Sequence, residues 1–413
     1  MEPGHPPAPT YRALLAIPGV GPLAGTLLLA RLGGAMWSLA LILFVLQRFH
    51  SPVLAGITTF VAWMPGLLLS PLGGALMDRV GRVRLIVLDM VVAVLGVVAI
   101  VLLSLTGALT VPSLLLVVGA SSITGPLTWV GTRSLIPLVV PSPLWERGNA
   151  LDAITASLTM IAGPALAGLL FAAAGGLATL LAIGGVWLGA GLLVATVRDV
   201  PAPRTPAGGV LREALEGLRY VVHNPVLRGL AVLMSLANAG DGIFQVALPV
   251  LFRSFPRGGS AVAGAVWSVF GVASVLGALA GGRMATRGRE RRIILATLLM
   301  VAAAYCVVAA APLVALPLVA AAAGMAVAGV FVGLHDIAMF SLRQRAIEPA
   351  WLGRAMSVSM SVNAVGLPVG TALAGPLVQV SLVGAMAAAA GVVALAAGLC
   401  PLLLPAGVAR ARA

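Results

Sequence analysis

The stretch GGALMDRVGRVRLI, residues 73–86, places one acid and three arginines between two long apolar runs. The acid is Asp78, and the bases are Arg79, Arg82 and Arg84. Charged residues make up only 9% of the 413 residues, so the stretch concentrates charge that the rest of the chain lacks. We expect it to be a short polar loop between two helices that are surrounded by lipid.

The composition of the chain excludes a water-soluble globular protein. Sixty per cent of the residues are hydrophobic and the mean hydropathy is +1.10, whereas a soluble domain carries about a quarter charged residues. A helix needs about 20 apolar residues to cross the bilayer core, and the long runs here lack the alternation of barrel strands. The sequence therefore predicts an all-α membrane protein.

The apolar runs form two sets of six, separated by a more polar stretch. We predict domains in the order of a disordered tail, a six-helix bundle, a linker, a second six-helix bundle and a second tail: 1–13, 14–197, 198–228, 229–404 and 405–413. The predicted spans within the bundles are 21–46, 53–76, 85–106, 110–132, 150–173, 176–197, 229–252, 260–282, 293–311, 313–338, 355–378 and 382–404.

Arginine distribution supports this number of spans. The chain contains no lysine, and its net charge is +13. With twelve spans, 21 of the 25 arginines lie on the side of the termini and the linker, and three lie on the other side. Basic loops prefer the cytosol, so we expect a multi-pass protein of the inner (plasma) membrane with both termini and the linker cytosolic. This bias explains the charge more simply than binding to nucleic acid does.

The linker carries an amphipathic pattern. Leu211, Leu215, Leu218 and Val222 recur at helical spacing, with charged residues on the opposite face. Such a helix either lies on the inner membrane face or packs on the cytosolic loops.

The loop stretch is repeated in the second half of the chain. Residues 73–86 align without a gap with GGRMATRGRERRII at 281–294, and both glycine pairs and two arginines coincide. A second match at nearly the same offset aligns RGNALDAITASLTMIAGPALAG at 147–168 with RAMSVSMSVNAVGLPVGTALAG at 354–375. The halves are therefore predicted to be parallel structural repeats, an arrangement found in transporters.

The loop stretch resembles the signature G-x-x-x-D-[RK]-x-G-[RK]-[RK] of the major facilitator superfamily. Val83 stands where the last base is expected, and five positions match: Gly74, Asp78, Arg79, Gly81 and Arg82. The resemblance runs from about residue 12 to 404 and is strongest to the enterobactin-exporter-like and macrolide-efflux-like branch. It implies twelve transmembrane helices in two six-helix bundles related by a pseudo-two-fold repeat.

The glycines and the acid of the loop have separate expected roles. Gly73 and Gly74 let another helix approach the end of span 2 closely, and Gly81 permits the backbone angles of a tight turn. The resemblance implies that Asp78 meets the positive N-terminus of span 11 as a latch on the closed cytosolic side. The alternative is that Asp78 pairs with a neighbouring arginine in a solvated loop.

Two ionisable residues are predicted near the middle of spans, where charge is costly and therefore points to function. They are Arg31 in span 1 and Asp241 in span 7, the equivalent span of the second repeat. Asn238 and Gln245 share a helical face with Asp241. We expect Asp241 to gain and lose a proton while Arg31 pairs with it or tunes it; the alternatives are a permanent structural pair and direct contact with substrate.

Other acids are weaker candidates. Asp89 is expected to pair with a loop arginine, and Asp152 to favour the start of span 5 as an acid near a helix N-terminus. His335 and Asp336 could form a proton relay, but a surface pair near the arginines that follow is the favoured interpretation.

Aromatic residues and the span 5 motif bear on the transported molecule. Trp37 and Trp129 lie deep in spans 1 and 4, where they either anchor the helices or face an apolar substrate. Gly163, Pro164 and Gly168 match in part a glycine-rich motif that exporters of the superfamily carry in span 5.

We therefore expect a secondary transporter that exports small amphipathic, drug-like or siderophore-like molecules by proton antiport. With no lysine there is no ATP-binding loop, and no nucleophile, base or metal cluster indicates an enzyme or a cofactor. The expected partners are the substrate, protons and the lipid bilayer, and the protein is expected to act as a monomer. The alternatives are a proton-coupled importer, and a receptor or assembly protein that does not transport.

Overall fold

The fold is built from helices. The computed structural model describes residues 11–141, 144–199, 210–255, 259–284, 286, 288–348 and 351–405, and in these residues the regular secondary structure is helical. Most of the predicted tails 1–13 and 405–413, namely residues 1–10 and 406–413, and the linker segment 200–209 lie outside the described residues. The end of the first predicted tail is helical, because the helix Tyr11–Leu15 starts within it.

The helices follow the predicted order. In the first half they are Val20–Phe49, Pro52–Val80, Arg82–Leu105, Val111–Ser122, Gly125–Val139 and Trp145–Ala195. In the second half they are Pro225–Ser254, Ser260–Gly282, Glu290–Ala310, Pro317–Ala346, Leu352–Ala364, Gly366–Val380 and Leu382–Leu403. Three further elements are the helices Tyr11–Leu15 and Val210–His223 and a 3₁₀ turn, Ala311–Leu313.

Twelve spans result from these helices. Eleven helical segments in the described part of the chain are long and apolar enough to cross a membrane, and one of them, Leu151–Ala195 within the helix Trp145–Ala195, has 45 residues. That length is about twice what one crossing needs, and the helix breaks at Gly175, where φ is +77°. Spans 5 and 6 meet there. Spans 4 and 11 are each formed by two consecutive helices, so the prediction of six plus six spans is confirmed.

Side-chain caps set where several spans begin. The Ser51 hydroxyl accepts a hydrogen bond from the Leu54 N–H, and the Asn224 side chain accepts from Val226 and Leu227. In both helices the next residue is proline, which lacks the N–H that a first helical position cannot use. Span 7 therefore starts at Pro225, directly after the linker helix.

The two halves meet through a symmetric pair of glycine contacts. We call the end of the bundle where residues 196–199 and 210–224 lie the linker side, and the opposite end the far side. Near the far side, Gly168 of span 5 lies against Gly264 of span 8, and Gly375 of span 11 lies against span 2 at Gly56. A Cβ added at any of these four glycines would overlap backbone atoms of the facing helix.

These contacts repeat the sequence offsets of 207 and 208. Gly168 corresponds to Gly375, and Gly56 corresponds to Gly264, so each contact is the other seen after the pseudo-two-fold rotation. The predicted parallel repeat is therefore visible in how the helices pack.

The linker helix, Val210–His223, rests on the second half. Val221 is buried, and the Tyr220 ring stacks on Trp351 at 5.1 Å between centroids. The predicted apolar stripe faces away from these contacts, because Leu215, Leu218 and Val222 are exposed. One face of this helix thus packs on the protein, and the neighbouring apolar face has no described protein contact that buries it.

Candidate functional site

An ionic site joins spans 1 and 5 within the first half. Nη2 of Arg31 lies 2.5 Å from Oδ1 of Asp152. Nη1 donates to the Asp152 carbonyl at 2.6 Å and to the Thr155 hydroxyl at 2.8 Å. The guanidinium also lies 5.9 Å from the centroid of the Trp129 ring. Arg31 is therefore held by four groups of spans 4 and 5.

The expected pairing of Arg31 with Asp241 is wrong in this structure. The Arg31 guanidinium binds Asp152 and Thr155 of span 5, and the Asp241 carboxylate accepts from Tyr305 of span 9. Asp152, which was expected only to favour a helix start, neutralises Arg31 instead. Each side chain keeps its partner within its own half of the molecule.

Asp241 faces the interior of the second half. Its Oδ1 accepts a hydrogen bond of 2.7 Å from the hydroxyl of Tyr305 in span 9. The Tyr305 ring stacks on Phe244, with 3.9 Å between centroids and 8° between planes. The aromatic stack fixes the hydroxyl, and the hydroxyl in turn fixes the carboxylate.

The neighbours of Asp241 on span 7 have different surroundings. Asn238 donates from Nδ2 to the Asn363 carbonyl of span 11 at 2.7 Å. Gln245 lines a cavity, and its Oε1 is buried without a hydrogen-bond partner among the described residues. On this face of span 7, Asn238 therefore contacts span 11, Asp241 contacts span 9 and Gln245 lines the cavity.

The cavity lies between the halves, below the glycine contacts of the far side. Its volume is about 180 Å³. Nine residues of spans 1, 5, 7 and 8 line it: Ala35, Ser38, Leu39, Ile42, Met160, Pro164, Gln245, Trp267 and Phe270.

The predicted tryptophans lie near this region but outside the cavity lining. Trp37 packs against Trp187 with 5.6 Å between ring centroids. Trp129 is 54% exposed beside Arg31. The cavity lining contains Trp267 of span 8 instead.

The span 5 motif mediates two close helix contacts. A Cβ on Gly163 would overlap Ala35 of span 1, and Gly168 makes the contact with span 8 described above. Pro164 contributes to the cavity wall, and its carbonyl lies against Gly264. The motif therefore brings span 5 close to a helix of its own half and to a helix of the other half.

The loop motif is described in part. Gly81 has φ +105°, and the backbone N–H of Arg82 donates to Oδ1 of Asp199 at 3.2 Å, so the start of the linker caps span 3. Arg84 is exposed. The predicted latch lies outside the described residues, as do the side chains of Asp78 and Arg79 and the surroundings of Gly73 and Gly74.

Asp89 does not belong to the loop. It is 3% exposed and faces Thr124 and Thr128, at the break between the two helices of span 4. The second of these helices starts at Gly125 without a side-chain cap from Thr124. Because a helix N-terminus attracts negative charge, a carboxylate from span 3 fits this position, and the expected pairing with a loop arginine is wrong.

The sequence did not predict that polar side chains at the linker end of span 10 are buried. Span 10 continues to Ala346, so Arg343 lies inside it and is 1% exposed, next to Met339 and the Phe340 ring. His335 is also buried and contacts Thr297 and Met234. The favoured surface interpretation of His335 is therefore wrong. The available signal was the seven-residue spacing between Asp336 and Arg343 on span 10.

Metal chemistry has no support in the described part of the chain, where no three His, Cys, Asp or Glu side chains form a group that could hold an ion. Cys400 is buried, and Cys306 is exposed on span 9.

The sequence profile of the Major Facilitator Superfamily matches residues 23–371, which is most of the chain. The chain belongs to the major facilitator superfamily. It is a multi-pass membrane transporter, and the resemblance drawn from the loop motif and the repeat is confirmed.

Three curated members of the superfamily match over nearly their whole lengths. The uncharacterized MFS-type transporter y4rN of Sinorhizobium fredii is 38% identical over 398 residues, covering 96% of this chain and 97% of that protein. The multidrug efflux pump Tap of Mycolicibacterium fortuitum is 27% identical over 400 residues, covering 93% and 96%. The enterobactin exporter EntS of Shigella boydii is 26% identical over 376 residues, covering 86% of each.

A solved structure of the superfamily fold superposes closely. The crystal structure of a variant of the nucleoside transporter NupG gives a TM-score of 0.80 and covers 93% of this chain and 99% of that chain. The identity is 12%, so the likeness concerns the fold alone. This major facilitator protein thus combines a neutralised ionic site in one half, a hydrogen-bonded carboxylate in the other and a cavity between them.

Proposed function

We propose that the protein exports small amphipathic molecules in exchange for protons. The observation that carries the proposal is the carboxylate of Asp241, which lies at mid-span and accepts a hydrogen bond from Tyr305. An acid within a membrane span is costly to keep ionised and is a functional candidate by default. The direction of transport is supported by the two relatives named as an efflux pump and an exporter.

The exchange follows from alternating access of a single cavity. The substrate enters the cavity between the halves from the linker side and leaves on the far side, where the glycine contacts separate. Asp241 takes up a proton while the far side is open and releases it while the linker side is open. The carboxylate and the Tyr305 hydroxyl stay paired through the cycle and move with the second half.

The two six-helix units, residues 14–197 and 229–404, are the bodies that move in this scheme, and residues 198–228 connect them. The arginine distribution supports a linker side that faces the cytosol, with the protein in the inner membrane. One monomer contains both halves of the cavity, so the proposed cycle needs no second copy.

Transport in proteoliposomes tests the proposal. We expect an imposed proton gradient to drive accumulation of amphipathic dyes on the acidic side. Asp241→Asn should abolish this accumulation while downhill equilibration of the same dyes continues. Glu216→Gln, an acid in the linker helix, is the matched control and should transport like the wild type.

Three results would contradict the proposal. Accumulation driven by the gradient that persists in Asp241→Asn would remove Asp241 as the proton site. Accumulation on the alkaline side would indicate a proton-coupled importer. No movement of any dye, in a correctly folded preparation, would favour a receptor or assembly protein.

A further inference from the structure

The cavity between the halves has an uncharged lining. Its nine lining residues are apolar or aromatic except for Ser38 and Gln245. The ring of Trp267 meets Phe270 edge to face, with 5.6 Å between centroids and 78° between planes. Together with Met160, these rings form a soft aromatic wall that suits a flat apolar ligand.

The charged residues nearest in sequence are committed elsewhere. Arg31 lies one turn before Ala35 of the lining, but its guanidinium binds Asp152 and Thr155. Asp241 lies one turn before Gln245, but its carboxylate accepts from Tyr305 within the second half. Neither residue belongs to the cavity lining, so a charged ligand in the cavity would lose water without gaining a described counter-charge in the wall.

One polar group of the wall is unsatisfied. The Ser38 hydroxyl donates to the Ala35 carbonyl at 2.9 Å. The Gln245 Oε1 is buried and has no hydrogen-bond partner among the described residues. A buried amide oxygen without a donor is unfavourable. Because Oε1 has almost no surface open to the cavity in this conformation, a ligand N–H or O–H would satisfy it after the Gln245 amide turns toward the cavity.

We propose that this cavity binds uncharged aromatic molecules that donate one hydrogen bond to Gln245, and that Gln245 determines this specificity. The inference rests on the proposed export function. It narrows the expected substrates from amphipathic molecules in general to uncharged aromatic molecules with a hydrogen-bond donor. Gln245 selects between ligands because a site with a buried acceptor rejects an analogue that lacks the donor.

Three two-ring probes of similar size test separately whether the ligand must be uncharged and whether it must carry a hydrogen-bond donor. 1-Naphthol is neutral and carries a donor, 1-methoxynaphthalene is neutral without a donor, and N-methylquinolinium is a permanent cation. Binding of each is measured to the purified full-length protein in lipid nanodiscs at neutral pH without a gradient. We expect 1-naphthol to bind roughly five- to tenfold more tightly than either other probe, as one hydrogen bond allows.

Two substitutions of Gln245 then reverse the preference in different ways. Gln245→Leu should bring 1-naphthol and 1-methoxynaphthalene to equal affinity. Gln245→Glu should make N-methylquinolinium the tightest of the three, because a carboxylate supplies the missing counter-charge. Gln379→Leu, which removes an exposed amide at the far end of span 11, is the control and should bind like the wild type.

Equal binding of all three probes to the wild type would overturn the inference, and so would a preference for 1-naphthol that survives in Gln245→Leu. If Gln245→Leu does not fold, Gln245→Glu decides alone by gain or absence of cation binding. The binding measurements contain no gradient, so a failure of proton-driven export would contradict the proposed function without changing them.

Discussion

Arg31 and Asp152 form a hydrogen-bonded ion pair between spans 1 and 5, with 2.5 Å from Nη2 to Oδ1 and a further bond of 2.6 Å to the Asp152 carbonyl. Their side chains are 10% and 16% exposed. The pair removes the one arginine of the predicted spans from the cavity and fixes span 1 to span 5.

The pair predicts a non-additive effect on stability. Arg31→Met or Asp152→Leu alone should lower the free energy of unfolding by up to about 3 kcal/mol, because each leaves a charge poorly solvated. The double variant should recover most of that loss. Thermal unfolding in detergent measures all three, and a double variant whose loss equals the two single losses combined would show that the residues do not interact.

Removing the Tyr305 hydroxyl should affect proton-driven export without affecting downhill movement of the substrate. Tyr305→Phe removes the hydrogen bond to Asp241 but keeps the ring stacked on Phe244. We expect gradient-driven export to slow several-fold while downhill equilibration and thermal stability stay near wild type. Phe244→Leu is the converse change, which keeps the hydroxyl but loses the stack. Equal slowing of driven and downhill movement in Tyr305→Phe would assign the residue to the substrate path instead.

Substituting the far-side glycines should prevent the two halves from closing on the far side. A methyl group at Gly168 would overlap the Ser260 carbonyl and the Gly264 backbone, so Gly168→Ala should hold the far side open. We expect transport to fall, while the thiol introduced by Ser38→Cys becomes more reactive toward reagents added on the far side. Gly56→Ala should act in the same way at the symmetric contact.

Gly185→Ala is the control for this prediction, because a Cβ there meets no atom within 4 Å. The interpretation of the glycine contacts as a closure fails if Gly168→Ala transports as well as Gly185→Ala.

A neutral substrate predicts electrogenic exchange. If one proton enters for each uncharged molecule that leaves, each cycle moves one positive charge inward. A membrane potential then contributes about 2.3 kcal/mol per 100 mV. A potassium diffusion potential, negative on the linker side and without a pH gradient, should accelerate export of 1-naphthol. An export rate that does not change with the membrane potential would mean that another ion compensates the charge of the proton.

Hydropathy and charge predict the spans well because both act locally. A run of about 20 apolar residues has few alternatives to crossing the bilayer, and arginine placement fixes which ends share a side. The internal offset predicted the parallel repeat, which explains the symmetric glycine contacts because Gly168 and Gly375 occupy the same place in the two repeats. The spans and their orientation depend on residues that are close in sequence, and the symmetric contacts depend on the internal repeat.

Partners across the bundle could not be predicted from spacing. Arg31 and Asp152 are 121 residues apart, and Asp241 and Tyr305 are 64 apart. Which helices adjoin and how each is rotated decide such contacts, and one sequence contains no direct record of either. Arg343 was misjudged for a similar reason: its burial depends on the packing around the extended end of span 10.

The linker is attached to both halves at its described ends. Asp199 accepts from the Arg82 backbone in the first half. At the other end, the Tyr220 hydroxyl accepts from the Glu348 N–H, and Asn224 donates to the Ala346 carbonyl of the second half. The chain between Asp199 and Val210 can reach at most about 40 Å when fully extended. While both attachments last, the linker is a tether that sets an upper limit on how far the two halves can separate on the linker side.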